Sequence, residues 1–553
     1  MITSGMSAPR GTPETDAWWR DAVIYQIYPR SFADGDDNGT GDLIGVAQRI
    51  GHLADLGVDA LWLSPFYPSP MADGGYDVAD YRDVDPRFGS LDDFDALVEA
   101  AHGRGIRIYI DIVPNHTSSA HPWFQAALAA PKGSAERDRY VFRDGLGPDG
   151  DQPPSNWASR FGGSAWSRTP DGQWYLHLFH QDQPDLNWSN PEVRAEFDDI
   201  LRFWCRRGVD GFRIDVAYAM VKDLDEPLRD VVMVPSHADE VAANPDHPFL
   251  DRPEVRDIHR EWRRILDGFT PPRVAIGEIW LPTDRRLRYL GPDKLHQAFD
   301  FDFLLCPWDA AAYRAVIDEA VDGATAAGSV PTWVLGNHDT VRPASKFGLP
   351  PGTDTTAWLM SDGTAPPADP ALGLRRARAA ALLQLALPGA AYIYQGEELG
   401  LPEVADLSPE QLQDPVWERS RHTAKGRDGC RVPIPWEKSG PSLGFGRTAG
   451  WLPQPEDWSD LSVAAQTGDP GSTLEMYRAA LRARRALSPG TRFTWDRDLN
   501  VGYVLAFRRD DHLIVVNTGS TPVPLPPGEA VVASTDLPPA ELPGDATVWL
   551  RTG

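Results

Sequence analysis

Three acidic residues close short β-prone runs, and their types and spacing fit acid–base and nucleophilic chemistry on a single bond. Asp215 ends Gly211-Phe-Arg213-Ile-Asp215, Glu278 ends Val274-Ala-Ile-Gly277-Glu278, and Asp339 ends Val334-Leu-Gly336-Asn337-His338-Asp339. They lie 63 and 61 residues apart, one or two strand–helix units at about 30 residues each. Carboxylates at the C-terminal ends of parallel strands converge on the top face of a (β/α)8 barrel. Two carboxyls about 5–5.5 Å apart are what cleavage of a glycosidic bond with retention requires, one as nucleophile and one as proton donor. One acid at a strand end is commonly only a cap. Three in order, with Arg213 and His338 beside them, point to a site.

The elements that must position these acids are legible as an α/β alternation. Runs at 23–28, 60–64, 107–113, 211–215, 273–278, 297–301, 332–335 and 391–395 read as eight barrel strands. Helical patterns at 91–102, 191–206 and 374–387 lie between them. The fold class is therefore a (β/α)8 TIM barrel, its first part at 1–116 and its second at 188–488. Residues 117–187, rich in Gly, Pro, Trp and Asp, read as an irregular subdomain inserted after the third strand. A long loop region at about 401–460 follows the eighth strand, and a helix at 473–487 closes the barrel. Short alternating runs at 503–508, 513–517, 530–533 and 548–550 make residues 489–553 a C-terminal β-sandwich.

Composition narrows the partners. A net charge of −27 over 553 residues repels phosphates, which argues against nucleic acid or an anionic membrane surface and fits a neutral substrate. Cys205, Cys306 and Cys430 are odd in number and widely spaced, so a reducing compartment is the expectation. No apolar leader is visible between Met1 and Trp19. The longest apolar stretch, 379–394, is interrupted by Gln384, Pro388 and Gly389 and reads as core, not as a membrane span. The protein is expected to be soluble and cytoplasmic. Its oligomeric state is not legible.

Taken together, the motifs resemble the α-amylase family, glycoside hydrolase family 13, and within it the oligo-1,6-glucosidase and α-glucosidase branch. The family's signatures are matched by Asp111-Ile-Val-Pro-Asn115-His116, Gly211-Phe-Arg213-Ile-Asp215, Gly277-Glu278-Ile-Trp280 and Gly336-Asn337-His338-Asp339, with Gln183-Pro-Asp185-Leu-Asn187 marking the branch. The resemblance implies Asp215 as nucleophile, Glu278 as general acid/base and Asp339 as the third acid, which grips the sugar. It implies Arg213 holding the nucleophile ionised, and a raised pKa keeping a proton on Glu278. It also implies His116 and His338 bonding the sugar, and Asp73 and Tyr76 closing the pocket floor. Phe161, Phe179 and Gln183 correspond to wall residues and Arg431 to a late arginine. A closed floor makes such an enzyme exo-acting on short oligosaccharides or α-glucosides.

Asp34-Gly-Asp36-Asp-Asn38-Gly-Thr40-Gly-Asp42 sets acidic or amide side chains at alternate positions, a loop able to wrap a hard cation. The resemblance implies structural calcium, or magnesium, held by the side chains of Asp34, Asp36, Asn38 and Asp42 and the carbonyl of Thr40. No organic cofactor is implied.

The same scaffold serves transglucosidases and isomerases such as trehalose synthases and sucrose isomerases. The latter carry an Arg-Leu-Asp-Arg-Asp loop after the sixth strand, where this chain has Phe303-Leu-Leu-Cys306-Pro-Trp308-Asp309. A non-enzymatic, transporter-associated relative would have a membrane span and lack catalytic acids. Val216 matches enzymes that cleave α-1,6 bonds and sets that linkage slightly above α-1,4. Ala217-Tyr218-Ala219 departs from the usual continuation, and the insertion between Met220 and Ile258 matches no known pattern. It is expected to border the aglycone side.

Overall fold

The structure, a computed structural model, describes residues 17–232, 234, 237–488 and 493–552. Eight parallel strands form its centre: Val23–Ile27, Ala60–Leu63, Arg107–Ile112, Gly211–Ile214, Val274–Gly277, Gln297–Ala298, Thr332–Val334 and Ala390–Tyr394. In the sheet they run seventh, eighth, first, second and onward to the sixth. A parallel bridge between Asp300 and Trp333 joins the sixth to the seventh and closes the barrel. The strands carry mostly β-branched, aromatic and small residues, and those of the first, second, fourth and fifth are buried throughout, as a sheet covered on both faces demands. Register sets the chemistry: Arg213 on the fourth strand pairs with Asp111 on the third and Ile276 on the fifth.

Helices follow from local signals. Ser90 and Asp93 form a reciprocal capping box on Leu91–His102. Asn190 caps Pro191–Arg206, with proline at the first turn. The helix expected at 374–387 spans Pro370–Ala386, because Asp369 accepts from Leu372 N–H and Pro370 starts the first turn. The sixth strand is two residues long instead of five, since Phe301 already opens the helix Phe301–Leu305. The helix expected at 473–487 ends at Arg484.

The segment between the third and fourth strands holds the helix Pro122–Ala129 and a three-stranded antiparallel sheet, with Gln173–Leu176 between Phe142–Asp144 and Trp166–Arg168. Its composition hid that order. The C-terminal region is a five-stranded antiparallel sheet plus a two-stranded ladder. It docks on Pro370–Ala386, where Thr547 Oγ1 donates to Ala379 O at 2.9 Å and Trp549 Nε1 to Leu382 O at 3.1 Å. The expected boundary at 488/489 abuts residues 489–492, which lie outside the described ones. All three cysteines are buried and free. Among the described residues no helix is long and apolar enough to cross a membrane.

Candidate active site

Asp215 and Glu278 each follow directly on their strands, and Asp339 lies five residues past Val334, where the seventh strand ends. Asp215 N–H donates to Ile112 O at 2.9 Å, and Glu278 N–H to Ile214 O at 3.0 Å. Arg213, buried beneath them, binds three carboxylates. Its Nη1 lies 2.7 Å from both Asp111 Oδ1 and Asp215 Oδ1, and its Nη2 lies 2.9 Å from Glu278 Oε2. Sharing one guanidinium brings Asp215 and Glu278 to the same side of one hollow of about 80 Å³.

One cation facing three carboxylates cannot balance them, so the cluster favours retaining a proton. Burial pushes Asp215 well above the usual carboxylate range, against the pull of Arg213 and with the push of Glu278 and Asp111. Asp111 is likewise pushed up to about 6 by burial, despite Arg213. The expectation that Arg213 simply holds Asp215 ionised is thus incomplete, because Asp111 and Glu278 compete for the same cation.

A second group of acids at the hollow is richer in cations. Arg427 lies 2.7 Å from Asp73 Oδ1 and 3.1 Å from Asp339 Oδ1, and its Nε pairs with Asp414. Arg431 adds a contact to Asp339 at 3.0 Å and donates to His338 O at 2.8 Å. Burial raises the carboxyl of Asp339, but His338, Arg427 and Arg431 outweigh it and hold the group well below its usual range. Asp414 is also buried, and Arg427 and Arg431 hold it down.

Asp73, Tyr76, His116, Phe161, Phe179, Asp215, Glu278 and Asp339 line the hollow, together with Val216 and Arg427. The structure does not bring Gln183, Arg213, His338 or Arg431 to that wall. All four are buried. Gln183 Nε2 donates to Asp73 Oδ2 at 3.0 Å and meets His116 Nε2 at 3.1 Å. His338 meets Gln26 and Tyr76 at 2.7 Å each, with its ring stacked on Tyr76. Burial pushes His116 down to about 4 and His338 down to about 3, so both are neutral at ordinary pH.

Sequence reasoning missed Arg427, Asp414 and the partnership of Asp111 with Arg213. The signal for Arg427 was a second arginine four positions before Arg431, hidden in a loop with no periodicity. Val216 carries a further feature that sequence reasoning could not show. It holds φ +42°, a left-handed conformation costly for a β-branched residue. That turn aims its N–H at Glu278 Oε2, 3.0 Å away.

The 220–258 segment folds onto the residues inserted after the third strand. Glu240 takes two bonds from Arg160, at 2.7 and 3.1 Å, and a third contact from His247 at 3.0 Å. Asn156 exchanges bonds with Val231 at 2.8 and 3.0 Å. Phe161, next to Arg160, is part of the pocket wall.

In the first strand–helix loop, oxygens of Asp34, Asp36 and Asp42 lie within 4.8 Å of one another. Burial raises Asp34 and Asp42, and nearby aspartates add to it. Such a set of hard, like-charged oxygens fits a divalent cation. Asn38 turns its side-chain oxygen to Thr40 N–H at 2.7 Å. The loop is tied to the long eighth loop by Asp34 N–H to Phe445 O at 2.8 Å and Trp451 N–H to Gly39 O at 2.9 Å.

Residues 26–489 match the family described as alpha amylase, catalytic domain. A probable alpha-glucosidase of Rhizobium meliloti (strain 1021) is 42% identical, over 86% of this chain and 83% of that protein. An oligo-1,6-glucosidase of Parageobacillus thermoglucosidasius is 32% identical, over 92% and 91%. Among solved structures, an alpha-glucosyl transfer enzyme superposes with a TM-score of 0.83 at 37% identity, over 96% of this chain and 99% of that one.

Proposed function

This chain belongs to the α-amylase family of glycoside hydrolases, and we propose that within it the protein is a retaining, exo-acting α-glucosidase. Its substrates are short oligosaccharides or α-glucosides, from which it releases the terminal non-reducing glucose. One observation carries the reading: Arg213 holds both acids on a hollow that the Asp73–Arg427 ion pair also lines.

In the first half-reaction Asp215 attacks the anomeric carbon while Glu278 passes its proton to the leaving oxygen and the glycosidic bond breaks. In the second, Glu278 takes a proton from water, whose oxygen displaces Asp215. Asp339, kept ionised by two arginines, accepts bonds from sugar hydroxyls. A floor closed by Asp73 and Arg427 admits a chain end and cannot thread a polymer. Val216 favours α-1,6 slightly over α-1,4 linkages.

Calcium or magnesium on Asp34, Asp36, Asn38, Asp42 and the carbonyl of Thr40 would tie the first loop to the eighth, a structural role remote from the acids. A charge of −27 fits a neutral sugar as the partner, with neither nucleic acid nor membrane, in the cytoplasm.

The test is a rate panel on maltose, isomaltose, trehalose, sucrose and an aryl α-glucoside, with the first product followed by NMR. Glucose of α-configuration is expected. A β-anomer, or maltose released from internal bonds of starch, overturns the reading. The similarity to an alpha-glucosyl transfer enzyme favours one second reading, glucosyl transfer to a sugar acceptor. Transfer products outnumbering free glucose at high substrate concentration would establish it.

A further inference from the structure

The two oxygens of Glu278 stand in different surroundings. Oε2 accepts from Val216 N–H at 3.0 Å and faces Arg213 Nη2 at 2.9 Å. A proton there would displace a cation and a backbone donor together. Oε1 accepts from Trp280 Nε1–H at 2.9 Å. A carboxyl oxygen with one donor keeps a lone pair free, so Oε1 can carry a proton and still accept the indole bond. The indole is itself fixed: its ring lies on Phe301 with centroids 3.7 Å apart and planes 3° from parallel. The N–H lies in the ring plane, so this stack sets its direction.

We propose that Trp280 is a positioning residue for the acid/base, selecting Oε1 as the oxygen that delivers and recovers the proton. The inference rests on the α-glucosidase reading. As the glycosidic C–O bond breaks, the Oε1–H proton moves to the leaving oxygen, and negative charge develops on Oε1 opposite the indole N–H. A hydrogen bond to an ionised acceptor is stronger than one to a neutral acceptor, so the contact tightens in the transition state and favours the reaction. Where the leaving group needs no proton, that charge does not develop and Trp280 has little to contribute.

Trp280→Phe keeps an aromatic ring to pack against Phe301 and removes the N–H together with the second ring of the indole. Its kcat/KM on a methyl α-glucoside or maltose is expected to fall roughly ten- to a hundred-fold. On 2,4-dinitrophenyl α-glucoside the fall should stay within about threefold. The basic limb of the kcat/KM profile should move to higher pH, because the ionised carboxylate has lost a donor. Arg213, Asp215, Asp111 and Tyr218 also face Glu278 and are unchanged in the variant. In a Glu278→Gln background the same substitution should add no further loss, since its effect runs through Glu278. Equal losses on both leaving groups with an unmoved basic limb overturn the proposal, as does a full additional loss in the Glu278→Gln background. A wild type inert toward every α-glucoside defeats the glucosidase reading itself and this inference with it.

Discussion

Two arginine–carboxylate clusters meet at the pocket, and their charge ratios differ, one arginine to three acids against two arginines to three. On one wall a single guanidinium, Arg213, serves Asp111, Asp215 and Glu278. On the other, Arg427 and Arg431 serve Asp73, Asp339 and Asp414. Both are buried, and desolvation pushes Asp111, Asp215, Asp339 and Asp414 upward. What differs is the supply of positive charge. The poor wall lets burial win at Asp215 and Asp111; the rich wall holds Asp339 and Asp414 ionised. Gripping hydroxyls needs the second condition, whereas the first means that Asp215 must give up its proton before it attacks as a carboxylate. One fold supplies both by counting guanidiniums.

The contrast also has a pH sign. Asp339 sits below its unfolded pKa, so its ionised form contributes stability above about pH 4 that is lost as pH falls further. Asp111, raised to about 6, does the reverse: it costs stability as pH rises from about 4 through 6.

The largest effect is expected on the poor wall. Asp215→Ala should lower kcat by roughly 10⁴-fold or more while leaving the fold intact, as for residues that act as a unit in covalent catalysis. Near-normal turnover of that variant would remove the chemistry from this cluster. Next in size, Arg427→Met converts the rich wall into a poor one. With Asp73, Asp339 and Asp414 left to one remaining arginine, kcat/KM should fall roughly 10²–10³-fold. The acid limb of the profile should move to higher pH, because Asp339 then holds its proton longer. Stability at neutral pH should drop by about 3–5 kcal/mol, as when one partner of a buried pair is removed, and the deficit should shrink in acid. An unmoved acid limb would mean that Arg427 does not set the ionisation of Asp339.

Asp73→Ala tests the floor alone. Losing one charged hydrogen-bonding partner costs ~1.5–3 kcal/mol, so kcat/KM should fall roughly ten- to a hundred-fold with the pH limbs in place. A variant that loses only thermal stability would make Asp73 a turn cap beside Gly74 and Gly75. The smallest effect belongs to the remote acidic loop, which has three clustered aspartates and no arginine at their centre. If a divalent cation balances them, chelation should lower Tm by a few degrees through mass action and leave kcat at 25 °C unchanged. Asp36→Ala should abolish that chelator sensitivity. A Tm indifferent to chelator, with no metal in elemental analysis, would leave the loop a set of backbone-bonded turns.

Much of this was readable in advance. The eight strands and the order of the acids follow from periodicity and from which residue ends each strand, because burial on both faces leaves few alternatives. The sixth strand was read too long because a β-prone run and the first turn of Phe301–Leu305 share the same apolar residues. The sheet inside the inserted segment escaped because its strands are three or four residues long.

By itself the sequence determined the barrel, the positions of Asp215, Glu278 and Asp339 at strand ends, and the family to which the chain belongs. Each of these is local: a period, a motif, a residue at the end of a run. Only the tertiary structure decided which arginine serves which acid. Arg427 reaches Asp73 across 354 residues of chain, and Gln183, His338 and Arg431 are held back from the wall by bonds to partners far away in sequence. Protonation in a buried site depends on distances of 3–4 Å between charges in a low-dielectric surrounding. No linear spacing encodes those distances until the chain has folded.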